Sequence, residues 1–420
     1  MAKFVISHSN GLKGSVKISG SKNAVLPILA AALLTQETCE ICCVPALRDV
    51  FAMVEILKDL GAVIHFDQKE EKITITADKI KKFEEEYEMA GKMRASFIIM
   101  GPLLARFGHA RIPLPGGCPI GTRPVDLHLK GFTALGAQMM QEHGYVDVTV
   151  KKLIGNRIYL DFPSVGATEN VMMAAVLAQG ETTIENAAAE PEISDLANFL
   201  IKMGAKISGA GTDTIQIEGV KELHGTTHNV IPDRIEAGTF MVASAITRGD
   251  IILENVVVEH LKPIIAKLAE SNIQSEVTPA GLRIFSKGEI IPSNLKTMPF
   301  PGFPTDMQAP FMSLMTLAHG TSIITETVFE NRFMHAAELK RMGADIKIES
   351  RSAVVEGVKK LTGTQVKATD LRAGAALVLS ALAAEGKTEI SDIYHIERGY
   401  SKIEEKLNKL GANIIKEEKE

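Results

Sequence analysis

Cys118 is the residue whose surroundings most clearly allow chemistry. In "IPLPGGCPIGTRPVDLHLKG" (112–131) it follows Gly116 and Gly117, lies between Pro115 and Pro119, and has Arg123 shortly after it. The glycines strip side chains from around the sulfur, and the prolines predict an exposed, non-helical path. A nearby guanidinium favours the thiolate and lowers its pKa. These features describe a reactive cysteine, an acid or a nucleophile. Cys39, Cys42 and Cys43 differ, because "TCEICCVP" predicts a small apolar strand in which cysteine behaves as a buried hydrophobe. Their Cys-x-x-Cys spacing has no second pair or nearby histidine to complete a metal site.

A second group of residues suggests anion binding. Lys22, Arg94, Arg234 and Arg372 stand in "SGSKNAV", "GKMRASF", "PDRIEAG" and "ATDLRAG", and Gly166 and Asp306 take the same place in "PSVGATE" and "PTDMQAP". The members of this series recur at nearly even spacing along the chain. Most of these stretches carry Ser, Thr or Asp where a helix wants its N-cap. The cap explains those residues but not the cations, which oppose the helix dipole at a cost of a few tenths to about 1 kcal/mol. Cations at matching helix starts point to an anion held there. A parallel series, Arg48, Arg123, Lys262, Arg332 and Arg398, stands near the start of the next helix along.

The elements that must position these residues recur. "LKDLGA" (57–62) returns as "FTALGA" (132–137), "LIKMGA" (200–205), "LKRMGA" (339–344) and "LNKLGA" (407–412), with a degenerate copy, "IAKLAESN", at 265–272. Upstream, runs such as "MMAAVLAQG", "MVASAITRG", "MSLMTLAHG" and "LVLSALAAEG" predict helices closed by a left-handed glycine cap. Alternating strands follow them. Each unit reads as strand–helix–strand–helix–strand–strand. Six units in two groups of three predict two similar α/β domains, dividing near "NVIPDRIE" (229–236). Both helix starts then lie at the C-terminal edge of parallel strands, where open α/β sheets bind ligands. Two such domains facing each other would line a cleft with cations, which suits a multiply charged anionic substrate.

Composition narrows the class. The 420 residues are 45% apolar and 23% charged, as in an ordinary globular protein of two domains. The net charge of −5 gives no global field for nucleic acid or an acidic membrane. With no Trp and five Tyr, platforms for stacking on single strands are scarce. "AVLPILAAALL" is too short to span a bilayer, which needs about twenty residues. The N-terminal stretch lacks a signal-peptide layout, and four cysteines make no disulfide framework, so the expectation is cytoplasmic.

"LPGGCPIGTRPVDLHL" resembles the catalytic-loop signature of the UDP-N-acetylglucosamine 1-carboxyvinyltransferase branch of the enolpyruvyl transferase family. The likeness runs the length of the chain through "SGSKNAVLP", "MRASF", "SVGAT", "EPEISDLANFL", "PDRIEAGTF", "GFPTDMQAP", "FENRFMH", "TDLRAGAALVL" and "YHIERGYSKIEEKL". The resemblance implies an α/β fold of two similar inside-out barrel domains, each of three βαβαββ repeats, with the active site in the interdomain cleft. It implies that residues 1–20 cross back to join 232–420, leaving 21–231 as the domain that carries the cysteine loop.

The reaction it implies is transfer of the enolpyruvyl group of phosphoenolpyruvate to the 3-hydroxyl of UDP-N-acetylglucosamine, with release of phosphate and no metal or other cofactor. No nucleic acid or membrane partner is implied. By the same resemblance Lys22, Arg123 and Arg398 meet the phosphate of phosphoenolpyruvate, and Arg332, Arg372 and Arg398 its carboxylate. Asn23, Thr305, Asp306 and Val328 match positions around the amino sugar. Arg94, Pro124, Val125, Asp126, Leu127, His128, Ser164, Val165 and Gly166 match the uridine and diphosphate contacts. Asp306 is the implied base for the hydroxyl and Cys118 the implied proton donor, able also to form an adduct. The chain departs from many relatives at Phe162-Pro163, where they carry a lysine two positions before "SVGA". Ser164 and the backbone N–H groups of Val165 and Gly166 must then hold more of the diphosphate charge. Two other readings stand beside this one, a 5-enolpyruvylshikimate-3-phosphate synthase and a silent paralogue that binds the nucleotide sugar as a sensor. An RNA-processing protein of similar units is disfavoured by charge and aromatic content.

Overall fold

The computed structural model describes residues 2–84, 94–114, 125–286 and 288–418, the side chains of 94–96 excepted. Contacts divide these residues into two compact units, one holding 20–231 and the other 2–19 together with 232–418.

Each unit is built around helices that are apolar on every side. All residues of Arg234–Ile246 are buried, as are all residues of Gln308–Met315 and nearly all of Leu371–Ala383, and the three pack on one another. A helix without a polar face belongs inside, and the Ala, Gly, Ser and Thr in these runs let neighbouring backbones approach. Lys22–Ala31, Met100–Phe107 and Val165–Ala175 take the corresponding places in the first unit, the last turn of Met100–Phe107 being only partly buried. The helices that follow are amphipathic. In Arg48–Leu60, Met53, Leu57 and Leu60 are buried while Glu55 and Lys58 face water.

Five sheets have four strands and one has three among the described residues. Each four-stranded sheet combines a parallel pair with antiparallel neighbours. In the first unit, for example, Thr227–Asn229 runs parallel to Cys39–Cys42, beside the hairpin strands Lys72–Thr76 and Val63–Asp67. In the second unit Lys13–Lys17 runs parallel to Asp250–Glu254, and Lys3–Ser7 lies between Lys387–Ser391 and Asn413–Glu417.

The Gly-Ala marker is a helix stop. Gly61, Gly136, Gly204, Gly343 and Gly411 all adopt positive φ. At the first, the Gly61 N–H donates to Lys58 O and the Ala62 N–H to Leu57 O, each at 3.0 Å, which closes the last turn. Asn272 takes this role in the degenerate copy with φ of 66°. The other glycine expectation is corrected. The helices of the four quoted runs do not end on left-handed glycines, for Val176 and Thr316 cap theirs in the right-handed region, whereas Met100–Phe107 does stop at left-handed Gly108. The positive φ falls later, at Gly180, Arg248, Gly320 and Gly386, where the chain reverses into the strand. Among the described residues no helix is long and apolar enough to cross a membrane.

Candidate active site

In the first unit Lys22 opens its helix, capped by Ser21, whose hydroxyl accepts the Ala24 N–H. The Lys22 ammonium lies 3.4 Å from a carboxylate oxygen of Asp49, a buried residue on the first turn of Arg48–Leu60. Sequence reading passed over Asp49, although its neighbour Arg48 was singled out. Asn23 follows Lys22 on the same turn.

Val125 precedes the helix Asp126–Ala134, on whose first turn stand Asp126, Leu127 and His128. His128 Nδ1 accepts the Asn170 side-chain N–H at 3.0 Å, and Phe97 meets the ring edge-on at 5.1 Å between centroids. Burial lowers the imidazole pKa to about 4, so the ring is neutral at pH 7. Asn170 is fully committed, since its Oδ1 accepts the Gly101 N–H at 2.6 Å and its amide also donates to Phe97 O. Ser164 caps the helix Val165–Ala175 through the Ala167 N–H. A Cβ on Gly166 would sit 3.2 Å from the His128 ring, so the fold packs these two residues closely together. Phe162 is exposed, and its carbonyl accepts the Ser164 N–H at 2.7 Å. Arg94 starts a 3₁₀ segment, Arg94–Ile99, ahead of Met100–Phe107. The expectations for Cys118, Arg123 and Pro124 lie outside the described residues.

In the second unit four of the sequence-predicted residues, Thr305, Asp306, Arg332 and Arg372, form one polar chain. Asp306 Oδ1 accepts from Arg332 Nη2 at 2.6 Å, and its Oδ2 accepts from Arg372 Nη2 at 2.9 Å and Nε at 3.1 Å. Arg332 Nη1 donates to Thr305 Oγ1 at 2.7 Å. The idea of Asp306 as a plain N-cap does not hold, because Pro304 occupies that place before the short turn Thr305–Met307 and Asp306 turns to the arginines. Asp370 is the true cap of its helix, accepting the N–H groups of Arg372 and Ala373 at 2.9 Å. The Arg372 guanidinium lies 5.3 Å above the ring of Tyr400, whose hydroxyl pairs with Thr239 at 2.9 Å. Burial alone would lower the pKa of Arg372. Tyr400, Asp306 and Asp233 outweigh it, and the group stays charged. Arg372 Nη1 is buried and meets no hydrogen-bond acceptor of regular geometry among the described residues, with Tyr400 as its neighbour.

Two positions differ from expectation. Arg398 ends a 3₁₀ segment, Ile393–Arg398, and stands ahead of the helix Ile403–Lys409. Lys262 falls inside Val258–Glu270. Val328 presents its N–H to Glu326, a buried carboxylate just beyond the strand Thr321–Thr325. Sequence reading missed Glu326, Asn170, Tyr400 and the buried trio Glu169, Glu190 and Glu192.

Two guanidiniums against one carboxylate leave the cluster with an excess positive charge, and Arg can bind planar anions through its fork. An anion taken there would lie beside the Asp306 carboxylate.

The chain belongs to the EPSP synthase (3-phosphoshikimate 1-carboxyvinyltransferase) family of enolpyruvyl transferases, whose family profile matches residues 6–407. Within it the similarities are more particular. The chain is 61% identical to UDP-N-acetylglucosamine 1-carboxyvinyltransferase 1 of Caldanaerobacter subterraneus subsp. tengcongensis, covering 99% of each chain. It is 58% identical to UDP-N-acetylglucosamine 1-carboxyvinyltransferase 2 of Carboxydothermus hydrogenoformans, again over 99% of each. Among solved structures, the enolpyruvyl transferase NikO from Streptomyces tendae has a TM-score of 0.89 at 27% identity, over 99% of this chain and 98% of that one. EPSP synthase from Acinetobacter baumannii shares the fold with a TM-score of 0.76 at 20% identity, over the full length of both chains.

Proposed function

We propose that this protein transfers the enolpyruvyl group of phosphoenolpyruvate to the 3-hydroxyl of UDP-N-acetylglucosamine and releases phosphate. The observation that carries this reading is Asp306 held between the guanidiniums of Arg332 and Arg372. The names of the 61% and 58% identical relatives support the nucleotide sugar as acceptor. The reaction would be the first committed step of peptidoglycan synthesis, placed in the cytoplasm and serving cell-wall growth and division.

Cys118 gives its proton to the methylene of the enol double bond, and the sugar oxygen attacks the adjacent carbon as its own proton passes to Asp306. The tetrahedral ketal then loses phosphate with the C–O electron pair, and the Cys118 thiolate takes back a methyl proton, which restores both the double bond and the thiol. Phosphate carries about −1.5 to −2 near neutral pH. Lys22, Arg123 and Arg398 hold it, while Arg332 and Arg372 take the carboxylate together with Arg398. A carboxylate between two guanidiniums is a weak base. Phosphoenolpyruvate draws those guanidiniums to its own carboxylate and so frees Asp306 to accept the proton. General-base help of this kind is worth about 10²–10⁴ in rate. Asn23, Thr305 and Val328 hold the amino sugar. Val125 to His128, Pro124, Arg94 and the Ser164–Gly166 turn hold the uridine and diphosphate.

The test is phosphate release from phosphoenolpyruvate with UDP-N-acetylglucosamine or with shikimate 3-phosphate as acceptor. Release is expected with the nucleotide sugar alone. Release with shikimate 3-phosphate in its place would move the assignment to the other branch of the family.

A further inference from the structure

Glu326 is 1% exposed and lies outside every motif that the reaction uses. Its Oε1 accepts the Thr297 hydroxyl at 2.8 Å and the N–H groups of Val328 at 2.8 Å and Phe329 at 3.3 Å. Its Oε2 accepts the Thr305 hydroxyl at 2.8 Å. All four partners donate, which suits an acceptor-only carboxylate.

The direction of the bonds matters. Thr305 Oγ1 accepts from Arg332, so its single proton is committed to Glu326, and the order Arg332 to Thr305 to Glu326 is fixed. Arg332 in turn grips Asp306. Thr297 is itself anchored, because its oxygen accepts the Thr327 N–H at 2.9 Å and its carbonyl accepts the Thr327 hydroxyl. One carboxylate therefore ties down two positions on separate segments, Thr305 ahead of a central helix and Val328 beyond a strand. Through one hydroxyl and one guanidinium it also reaches Asp306.

We propose that Glu326 is a positioning residue that sets Thr305 and the Val328 amide for the amino sugar. The inference rests on the reading above that these two residues hold the sugar. Replacing Glu326 with Gln keeps the shape but turns an amide N–H₂ toward groups that all donate. Thr305 then faces donors on both sides, and its hydroxyl turns away from the geometry it had.

The experiment measures steady-state kinetics and equilibrium UDP-N-acetylglucosamine binding for wild type and Glu326→Gln, with melting temperature alongside. KM and Kd for the nucleotide sugar are expected to rise about tenfold or more, the scale of one charge-assisted hydrogen bond. The KM for phosphoenolpyruvate is expected to change less. A lower melting temperature with both sugar constants unchanged would make Glu326 a purely structural residue and overturn the proposal. Should Glu326→Gln not fold, Thr305→Ser and Thr305→Val replace it. Ser keeps the hydroxyl relay and is expected to bind the sugar more tightly than Val, and equal affinities of the two variants would overturn the proposal. Wild-type protein that neither binds nor turns over UDP-N-acetylglucosamine would instead remove the functional reading beneath it.

Discussion

Glu169, on the buried helix Val165–Ala175, has Glu190 and Glu192 for acidic neighbours. Burial first, and then those two charges, push its carboxyl well above the ordinary range, so the folded chain keeps a proton that the unfolded chain loses near pH 4.5. Stability from this group is full below that pH and falls as pH rises, by up to about 1.4 kcal/mol per unit. Glu169→Gln removes the titration. Its urea midpoint relative to wild type is therefore expected to climb between pH 5.5 and pH 8, and an equal gap at both values would contradict the account. His128 acts at the other limit. Its folded pKa of about 4 lies below the unfolded 6.5, so its contribution is present above pH 6.5 and lost as pH falls toward 4. For the proposed proton donor, Cys118→Asp is expected to retain turnover through its carboxyl proton while Cys118→Ala loses it, as read by phosphate release. Equal loss in both would remove that role. Residues such as Lys22 and Asp306 could be picked out in sequence because each stands at a matching helix start in the repeat. Glu326 and Glu169 carry no such mark, since a Glu after a strand or on a helix reads as surface until the packing buries it.

The repeated Gly-Ala stop was readable at the scale of elements because a left-handed residue leaves a mark at a fixed place. Gly136 has φ of 93° and open space where a methyl would go, whereas a methyl on Gly61, at φ of 113°, would lie 2.6 Å from Lys79 O. Gly136→Ala thus isolates the backbone term, about 1–2 kcal/mol. Gly61→Ala adds a clash with a carbonyl and is expected to lose more stability by chemical denaturation. The reverse order would contradict this account of the stops. The ends of the four small-residue runs are not legible in sequence because a glycine after such a run looks the same whether it caps the helix, as Gly108 does, or turns into the strand. The right-handed caps at Val176 and Thr316 carry no distinctive side chain.

For the whole molecule, the even recurrence of the Gly-Ala stops and helix starts made six units and a two-domain α/β fold legible before any pairing was known. The recurrence does not say which strands close which sheet. Lys3–Ser7 lies between strands from the opposite end of the chain, and so short an alternating pattern holds no information about such partners. The polar chain from Glu326 through Thr305, Arg332 and Asp306 to Arg372 likewise joins residues from two repeats, so it exists only once the chain is folded. What that chain is for is tested most directly by following phosphate and product together. The purified protein is incubated with phosphoenolpyruvate, with and without UDP-N-acetylglucosamine, and the products are identified by mass and NMR. The account predicts phosphate release only with the nucleotide sugar, in equal amount to a single product bearing an enolpyruvyl ether at the sugar 3-oxygen. Phosphate release at the same rate without the sugar, or a sugar recovered unchanged, would contradict it.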